Sequence, residues 1–240
     1  MPDFSHRSYQ LELLDLPDIP FEDIRRNMQE LETINRYLGG HRITLSGMKS
    51  ILSRPFPPEF PLSKKITVCE IGCGGGDNLK AINSWCIKKG IKVYFIGIDI
   101  NKDCISYARE NCRTLEVEWV ASDYRKVVFK NKPDIIFSSL FCHHFSEDVL
   151  REQLILMREN ASAGFFINDL QRHALAYYSI KWLTRYFSGS YLVKNDAPLS
   201  VLRGFSKREW VQLLSQAGMC HGTIQWKWAF RWLIVCTNAK

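Results

Sequence analysis

The sequence predicts an α/β fold with a seven-stranded, mostly parallel sheet, an antiparallel terminal hairpin and a helical cap. Between residues 65 and 169, short apolar runs alternate with segments of helical periodicity, as in parallel strands joined by helices. The runs are almost continuously apolar, which is typical of strands covered on both faces. Composition agrees, because 46% hydrophobic and 24% charged residues are usual in a globular chain.

The first predicted element is an N-terminal helix over residues 21–38. Apolar side chains recur there at helical spacing, and Gly39-Gly40 ends the helix. A proline-rich hinge at 55–61 separates this part from the alternating region. In that region we predict strands over 66–71, 93–98, 115–121, 133–139 and 164–167, and helices over 77–89, 102–111 and 147–160.

The alternation stops after Asp169. An aromatic and basic segment runs from there to Gly204, followed by a helix over 206–216 and strands over 221–228 and 231–236. The short link between those strands predicts an antiparallel hairpin at the sheet edge. We therefore divide the chain into an N-terminal helical cap segment, residues 1–60, and an α/β domain, residues 61–240, with a cap insert at about 170–205.

Composition also excludes several classes of protein. No stretch approaches the ~18 uncharged apolar residues of a membrane span. The N-terminus carries acids early and has no apolar signal core, so we expect a cytoplasmic protein. The eight cysteines form no CxxC pair. Their spacing disfavours a disulfide scaffold or a zinc ribbon, and it predicts reduced thiols and no metal site.

The formal charge of +7 is unevenly distributed. Residues 171–208 carry a net charge of +6, whereas residues 1–30 carry −4. The basic segment could attract an acidic substrate, a membrane surface or nucleic acid. It could equally be a solvated face, or pack on the acidic N-terminus, and the sequence leaves these alternatives open.

The strongest motif is a glycine-rich turn between the first strand of the alternating region and the next helix. Glycines stand at positions 72, 74, 75 and 76, so the backbone can approach a ligand closely and direct helix-start amides at it. A dinucleotide fingerprint requires glycine where Asp77 stands, and Glu70 adds a second acid. Two acids disfavour a phosphate and favour a cationic ligand such as S-adenosylmethionine, which has a sulfonium and an ammonium.

Acids also follow the next two strands. Asp99 ends the second strand, where a carboxylate can accept both hydroxyls of a ribose. A helix N-cap is the alternative for Asp99, although Asn101 is better placed for that role. Asp123 follows the third strand, where it can accept from an adenine amino group. Three consecutive strands thus end in a glycine-rich turn, an acid and an acid, and this combination is specific.

These motifs resemble those of class I S-adenosylmethionine-dependent methyltransferases. The resemblance covers about residues 65–169, through EIGCGGG, GIDI, ASDY and DIIFSSLFCHHF. It implies a Rossmann-like sheet and S-adenosylmethionine as the cofactor. In addition, LETINRYLGGHR, NDLQRH and SVLRGF resemble a bacterial small-molecule subgroup that is associated with polyketide or phenolic-lipid pathways.

The resemblance implies a cofactor-binding role for each motif. Glu70 would orient the cofactor ammonium through water, Asp99 would hold the ribose, and Asp123 would meet the adenine amino group. The other implied contacts are to the methionine portion (Gly72, Cys73 and Gly74), to the adenine ring (Ile100 and Tyr124) and near the sulfonium (Ser139 and Leu140).

Three histidines are candidates for a catalytic base. Methylation of oxygen usually requires proton removal, and a base with a pKa near 7 does this best. His143 and His144 follow the fourth strand and His173 follows the fifth, at the edge where ligands bind in open α/β sheets. The alternative is that these side chains only hydrogen-bond to backbone. His41, in the Gly39–Arg42 turn, could close over the cofactor.

The expected acceptor is a small apolar or aromatic molecule, methylated on a phenolic or quinone-like oxygen. No Asn/Asp-Pro-Pro-Tyr-like sequence follows the fourth strand, which argues against methylation of an adenine or glutamine nitrogen. The alternatives are a methyltransferase that acts on nucleic acid or protein through the basic segment, and a cofactor-binding protein without catalysis. No nucleic-acid-binding module appears, so we expect no nucleic-acid partner.

The cap insert carries an aromatic helical face. Tyr178, Trp182 and Tyr186 recur every four residues. This spacing predicts a lid lined for a flat apolar acceptor. Packing on the core is one alternative, and contact with a membrane surface is another, because basic residues flank the aromatic side chains.

Overall fold

Seven strands form one sheet in the computed structural model, which describes residues 2–16, 18–53 and 65–238. The strands are β1 (Ile66–Ile71), β2 (Val93–Asp99), β3 (Val117–Ala121), β4 (Ile135–Ser139), β5 (Gly164–Leu170), β6 (Thr223–Lys227) and β7 (Arg231–Thr237). Their order across the sheet is β3-β2-β1-β4-β5-β7-β6. Strands β1 to β5 are parallel, and β7 is antiparallel to both β5 and β6. The predicted fold class is therefore confirmed.

Helices connect and cover the strands. They are α1 (Phe21–Tyr37), α2 (Gly40–Leu52), α3 (Asp77–Lys88), α4 (Lys102–Asn111), α5 (Glu147–Asn160), α6 (Ala174–Phe187), α7 (Tyr191–Arg203) and α8 (Lys207–Gln216). Helix α2 has no counterpart among the predicted elements, since the Gly39-Gly40 pair indicates only the end of α1. Gly39 is left-handed, with a φ of 80°, and α2 begins at the next residue. The predicted proline-rich hinge lies outside the described residues.

The predicted strands differ from the observed ones mainly at their ends. Strand β5 continues to Leu170 because Asp169 and Leu170 pair with Trp232 and Arg231 of β7. Strand β4 begins two residues after Pro133, which has no amide N–H to donate to a ladder. These shifts place Asp169 inside a strand, next to the carboxyl end of β4.

Two apolar layers cover the sheet. On one face, α2 and α3 contribute Met48, Leu79 and Ile82, which pack with the strand residues Phe95, Phe137 and Phe166, among others. On the other face, α5 and α8 contribute Leu154, Met157 and Trp210, which pack against Ile71, Ile98 and Phe165, among others. Burial of these side chains on both faces is the main apolar contribution to stability.

The cysteines are all free, and each except Cys220 is buried, so the expected reduced thiols agree with the structure.

Residues 2–16, which we call the strap, cross the carboxyl edge of the sheet and pack on α7. Ser8 donates its amide to Leu202 O at 3.0 Å, and Asp196 accepts the amides of Leu13 and Leu14 at 2.8 and 3.0 Å. Arg203 lies 3.4 Å from Asp15. The acidic N-terminus and the basic insert therefore pack on each other, as one of the sequence alternatives proposed.

In the described part of the chain, no helix has the length and apolarity to cross a membrane.

Candidate active site

The glycine-rich turn forms a tight loop between β1 and α3. Gly72, Gly74 and Gly76 have φ angles of 71°, 48° and 74°, a conformation that side chains with a Cβ rarely adopt. The amides of Gly72 and Cys73 both donate to Ile98 O of β2, at 2.8 and 3.0 Å. These bonds hold the loop against the carboxyl end of the neighbouring strand.

Glu70 lies beneath this loop with one oxygen unused. Its side chain is fully buried, and Asn78 donates to Oε1 at 2.9 Å. Oε2 has no hydrogen-bond partner among the described residues. Burial, and then the charges of Asp77 and Asp99, raise the pKa of Glu70 well above its usual range. A buried carboxylate oxygen without a partner fits the ammonium of S-adenosylmethionine, directly or through water.

Asp99 lies at the end of β2, beside the loop. Its carboxylate accepts the amide of Gly74 on Oδ2 and that of Asn101 on Oδ1, both at 2.9 Å. Each oxygen can accept a further hydrogen bond, so the position fits two ribose hydroxyls. Asn101, not Asp99, caps α4, because its Oδ1 accepts the amides of Asp103 and Cys104. Ile100 is 72% exposed, as a side chain free to contact a ligand would be.

The side chains of the turn after β3 already bond or pack with other residues of the chain. Asp123 accepts from the amide and the side chain of Arg125, with Nη2 at 2.6 Å from Oδ2. An adenine amino group would therefore have to share or displace this guanidinium. Tyr124 is buried, with its ring 5.8 Å from that of Phe141 and 6.1 Å from that of Phe145. The cofactor roles assigned to Asp123 and Tyr124 stay predictions.

The end of β4 carries a strained residue and an aromatic ring. Leu140 has a φ of 54°, in the left-handed region that is costly for a residue with a Cβ. Its amide donates to Asn168 O at 2.8 Å, and Asn168 also donates to Ser139 Oγ at 3.2 Å. The ring of Phe141 packs directly on Gly72, so that a Cβ added to Gly72 would lie 2.2 Å from it.

Helix α1 covers the glycine loop from above. A Cβ on Gly74 would lie 3.3 Å from Met28 Sδ. Asp77, directly after the glycine loop, hydrogen-bonds to both α1 and α2. Its Oδ2 lies 2.7 Å from Nε2 of His41 in α2 and accepts from Asn35 of α1 at 3.3 Å. Although burial opposes it, these partners lower the pKa of Asp77. His41 thus closes the loop from the first turn of α2.

His143 is buried between two carboxylates. Its Nδ1 lies 2.8 Å from Asp169 Oδ1, and its Nε2 lies 3.5 Å from Glu12 of the strap. Burial alone would lower the pKa of His143, but the charge and hydrogen bond of Asp169, followed by those of Glu12, raise it to about 9. The ring is therefore protonated at neutral pH, which makes it a donor and a poor proton acceptor.

His144 is more accessible than its neighbour. Its side chain is 21% exposed, its Nδ1 lies 3.2 Å from Asp15, and its Nε2 lies 3.8 Å from Glu12. Burial raises the pKa of Asp99, and the amides of Asn101 and Gly74 that donate to its carboxylate act against this shift.

Glu12, His143 and His144 bring their polar atoms within 4.8 Å of one another. Each already has a polar partner outside the trio, since Ser200 donates to Glu12 at 2.7 Å and the two histidines face Asp169 and Asp15. The guanidinium of Arg203 lies 3.9 Å from Glu12. All three side chains therefore already have polar partners outside the trio, and the absence of a metal site stays a prediction.

His173 lies apart from these two histidines in the hydrogen-bond network. It is the N-cap of α6, where its Nδ1 accepts the amide of Leu175 at 3.1 Å, and its ring stacks on Phe230 at 5.0 Å. A capping and stacking role accounts for the position. The catalytic role of His173 stays a prediction without support from these contacts.

Several functional contacts escaped sequence reasoning. Glu12, Asp15 and Arg7 of the strap and Arg203 of α7 converge on the turn after β4, where Arg7 and Arg203 both donate to His143 O. Only the opposite net charges of the two segments indicated that they meet. The position of Asp169 could have been recognised from the sequence. It stands at the end of the fifth strand, and parallel neighbouring strands bring that end close to His143-His144 after the fourth strand.

Comparisons with known proteins agree with this geometry. A sequence model of the family described as a methyltransferase domain matches residues 68–161. No curated protein matches the chain by sequence.

Solved structures share the fold. A protein of Nostoc punctiforme proposed to be an O-methyltransferase has a TM-score of 0.58 and 13% identity over 88% of this chain and 60% of its own. Human N-acetylserotonin methyltransferase with bound S-adenosylmethionine has a TM-score of 0.59 and 15% identity over 92% of this chain and 57% of its own. An S-adenosylmethionine-dependent methyltransferase of Aquifex aeolicus has a TM-score of 0.55 and 19% identity over 92% of this chain and 100% of its own.

The chain thus spans about three fifths of the length of the first two of these proteins. At these identities the structural likeness shows the fold alone. The match to the methyltransferase domain, together with the glycine loop and its acids, indicates S-adenosylmethionine as the cofactor. Residues 68–161 therefore match a methyltransferase-domain family, and the chain as a whole has the fold of the S-adenosylmethionine-dependent methyltransferases compared above.

Proposed function

We propose that the enzyme methylates an oxygen of a small, mostly apolar acceptor, of phenolic or quinone-like type. The observation that carries this proposal is the enclosure of the site. Met28 of α1 covers the glycine loop, and the strap crosses the turn after β4, where Arg7 donates to His143 O and Phe145 O. This cover favours a small acceptor over a macromolecule, which could present only a narrow extension here.

The lining of the enclosed edge supports an aromatic acceptor. The rings of Tyr124, Phe141 and Phe145 form a cluster next to Gly72, with Phe141 and Phe145 at 4.8 Å. Flat apolar molecules pack well on such rings. When bound, S-adenosylmethionine supplies a methyl group on a positively charged sulfur. The residues of the chain hold the cofactor, orient the acceptor oxygen and exclude water.

The basic segment gives less support to a macromolecular acceptor than its net charge suggests. Arg172 and Arg203 are buried. Arg172 pairs with Glu209 at 2.8 Å, and Arg203 lies 3.4 Å from Asp15. These two cations hold the cap together and are not available to phosphates. Binding of RNA or DNA with a steep dependence on salt would favour the macromolecular alternative.

A transfer screen tests the proposal. The enzyme is incubated with methyl-labelled S-adenosylmethionine and with phenols, quinones or fatty acids, and the labelled product is identified by mass spectrometry. We expect transfer to a phenolic or quinone-like hydroxyl. Label found only on a fatty-acid carboxylate, on nucleic acid or on protein would overturn the proposed acceptor class while leaving the methyltransferase identity intact.

Asp99→Asn should weaken binding of S-adenosylhomocysteine by roughly 1–3 kcal/mol, because ribose hydroxyls lose a charged acceptor. Titration calorimetry measures the change. Asp103→Asn, an exposed acid in the first turn of α4, is the matched control and should bind normally. Unchanged affinity in Asp99→Asn would show that this acid does not hold the ribose.

His144→Ala should lower turnover by ~10²-fold or more while leaving cofactor affinity unchanged, if this imidazole removes the acceptor proton. We assign the base to His144 because His143 is protonated between its two carboxylates. His173→Ala is the comparison and should keep most of the turnover. If His144→Ala retains normal turnover and His173→Ala does not, the base is His173.

A further inference from the structure

Helix α6 presents an apolar face that no part of the described chain covers. We call the side chains Leu175, Tyr178, Trp182, Leu183, Tyr186 and Phe187 the aromatic face. Trp182 is 60% exposed, Tyr186 is 64% exposed and Phe187 is 82% exposed. The rings of Trp182 and Tyr186 stack at 5.4 Å. Single exposed apolar residues are normal, but a contiguous group on one helix marks an interaction surface.

The opposite side of α6 already anchors the helix. Ala176, Tyr177 and Ile180 pack with Val201 of α7 and with Phe230. The core-packing interpretation therefore does not hold for Trp182 and Tyr186. The fold is complete without these rings, so their aromatic character requires another explanation.

The charges beside the aromatic face are positive. Helix α6 contains Lys181 and Arg185 and no acid. The acids nearest its C-terminal end are engaged: Glu30 accepts the amides of Gly189 and Ser190 and pairs with Arg26, and Asp23 accepts from Tyr191 Oη at 3.1 Å. An apolar stripe bordered by cations that have no acid on their own helix is complementary to an anionic interface.

The neighbouring hairpin extends this surface. Phe230 stacks on the N-cap residue of α6, and the rings of Trp226 and Trp228 each lie 6.3 Å from Phe230. Trp228 is 68% exposed, and Lys227 lies between the two tryptophans. Tryptophan and tyrosine favour the boundary between lipid headgroups and acyl chains, where one part of the ring is apolar and another is wet.

From this arrangement we propose that the aromatic face of α6 binds the surface of an anionic phospholipid membrane. A second copy of the chain fits less well, because a two-fold contact brings the same patch onto itself. Lys181 and Arg185 of one copy would then meet those of the other, with no acid on α6 to neutralise them. Anionic lipid headgroups attract the same cations, while the rings enter the headgroup region.

Vesicle flotation tests the proposal with the full chain. One set of vesicles contains phosphatidylcholine alone, and the other contains about one third phosphatidylglycerol. We expect binding to the anionic vesicles that falls as salt is raised. Trp182→Ala combined with Tyr186→Ala should weaken binding by about tenfold or more, and so should Lys181→Glu combined with Arg185→Glu.

The chain offers a matched control on α3. Ile87 is exposed and is followed by the exposed Lys88 and by Lys89. Ile87→Ala and Lys88→Glu with Lys89→Glu remove the same kinds of group from another surface, and should bind vesicles like the wild type. Circular dichroism checks that the exposed substitutions leave the fold intact.

Three results would overturn the proposal. The first is no binding to anionic vesicles. The second is equal binding by wild type and by the α6 variants, which would place the contact elsewhere. The third is a concentration-dependent dimer in light scattering that the Trp182→Ala/Tyr186→Ala variant removes without any change in vesicle binding, which would make the aromatic face an interface between copies.

Discussion

Arg203→Ala should lower the free energy of unfolding by about 3–5 kcal/mol, the usual cost of removing one partner from a buried charged network. The guanidinium is buried and donates to Gln10 O at 2.7 Å, His143 O at 3.1 Å and His144 O at 2.9 Å. Its loss leaves three carbonyls without this donor and removes the cation beside Asp15. Urea denaturation measures the change in stability.

Amide exchange shows where that stability is lost. The Ser8 amide, bonded to Leu202 O, should exchange faster in Arg203→Ala, because the strap loses the guanidinium that bonds Gln10 O and lies beside Asp15. Arg203→Lys keeps the charge but lacks the planar set of donors, so it should restore little. Lys207→Ala, an exposed cation at the start of α8, is the control. A loss below about 1 kcal/mol in Arg203→Ala, with Ser8 still protected, would show that the strap is held by other contacts.

The sheet could be predicted from the sequence because its signals are local. Nearly continuous apolar runs such as Ile66–Ile71 are typical of strands that are buried on both faces. The acids and glycines that follow these runs come together because parallel strands end at one edge. Glu70, Asp99 and the glycine loop therefore lie together as predicted, while Asp123 is turned to its neighbour Arg125.

The strap could not be predicted in the same way. Its contacts are hydrogen bonds between residues far apart in sequence, such as Arg7 to Arg203 O, 196 residues away. Such pairs leave no periodicity, and only the net charges of the two segments suggested a meeting. The His143 environment escaped for this reason, because Glu12 belongs to the strap and Asp169 to the next strand.

The aromatic face of α6 shows a different limit. A spacing of four residues predicts which side chains share one face of a helix. It does not distinguish a face covered by the core from a face left in solvent. For α1, the periodic residues Ile24 and Met28 are buried, while on α6 the periodic Trp182 and Tyr186 are exposed. Only the packing of the other elements decides between these outcomes.

Stability should decrease by about 3 kcal/mol between pH 6 and pH 10 through His143 alone. The pKa of His143 is raised to about 9 in the folded protein, against 6.5 for an ordinary histidine. A raised pKa means that the folded state binds the proton more tightly than the unfolded state does. The stabilisation is therefore complete below pH 6.5 and is lost as the pH rises through about 9.

His143→Gln is the variant that isolates this effect. Other groups also change the stability in this range, above all the buried thiols, which ionise more easily in the unfolded state because burial raises their pKa in the folded state, that of Cys86 to about 11. They contribute equally to wild type and variant, so the difference between the two stability curves reports His143. That difference should be largest below pH 6.5 and shrink by about 3 kcal/mol towards pH 10.

A direct titration keeps this prediction testable if His143→Gln does not fold. The ring proton signal of His143, followed by NMR in the wild type, should give a pKa well above 7, since Glu12 and Asp169 both favour the imidazolium. Glu12→Gln should lower that pKa, because one of the two carboxylates that face the ring is lost. A titration near pH 6 that Glu12→Gln leaves unchanged would mean that the strap does not hold His143 charged. His143 would then be as good a candidate as His144 for the base that removes the acceptor proton.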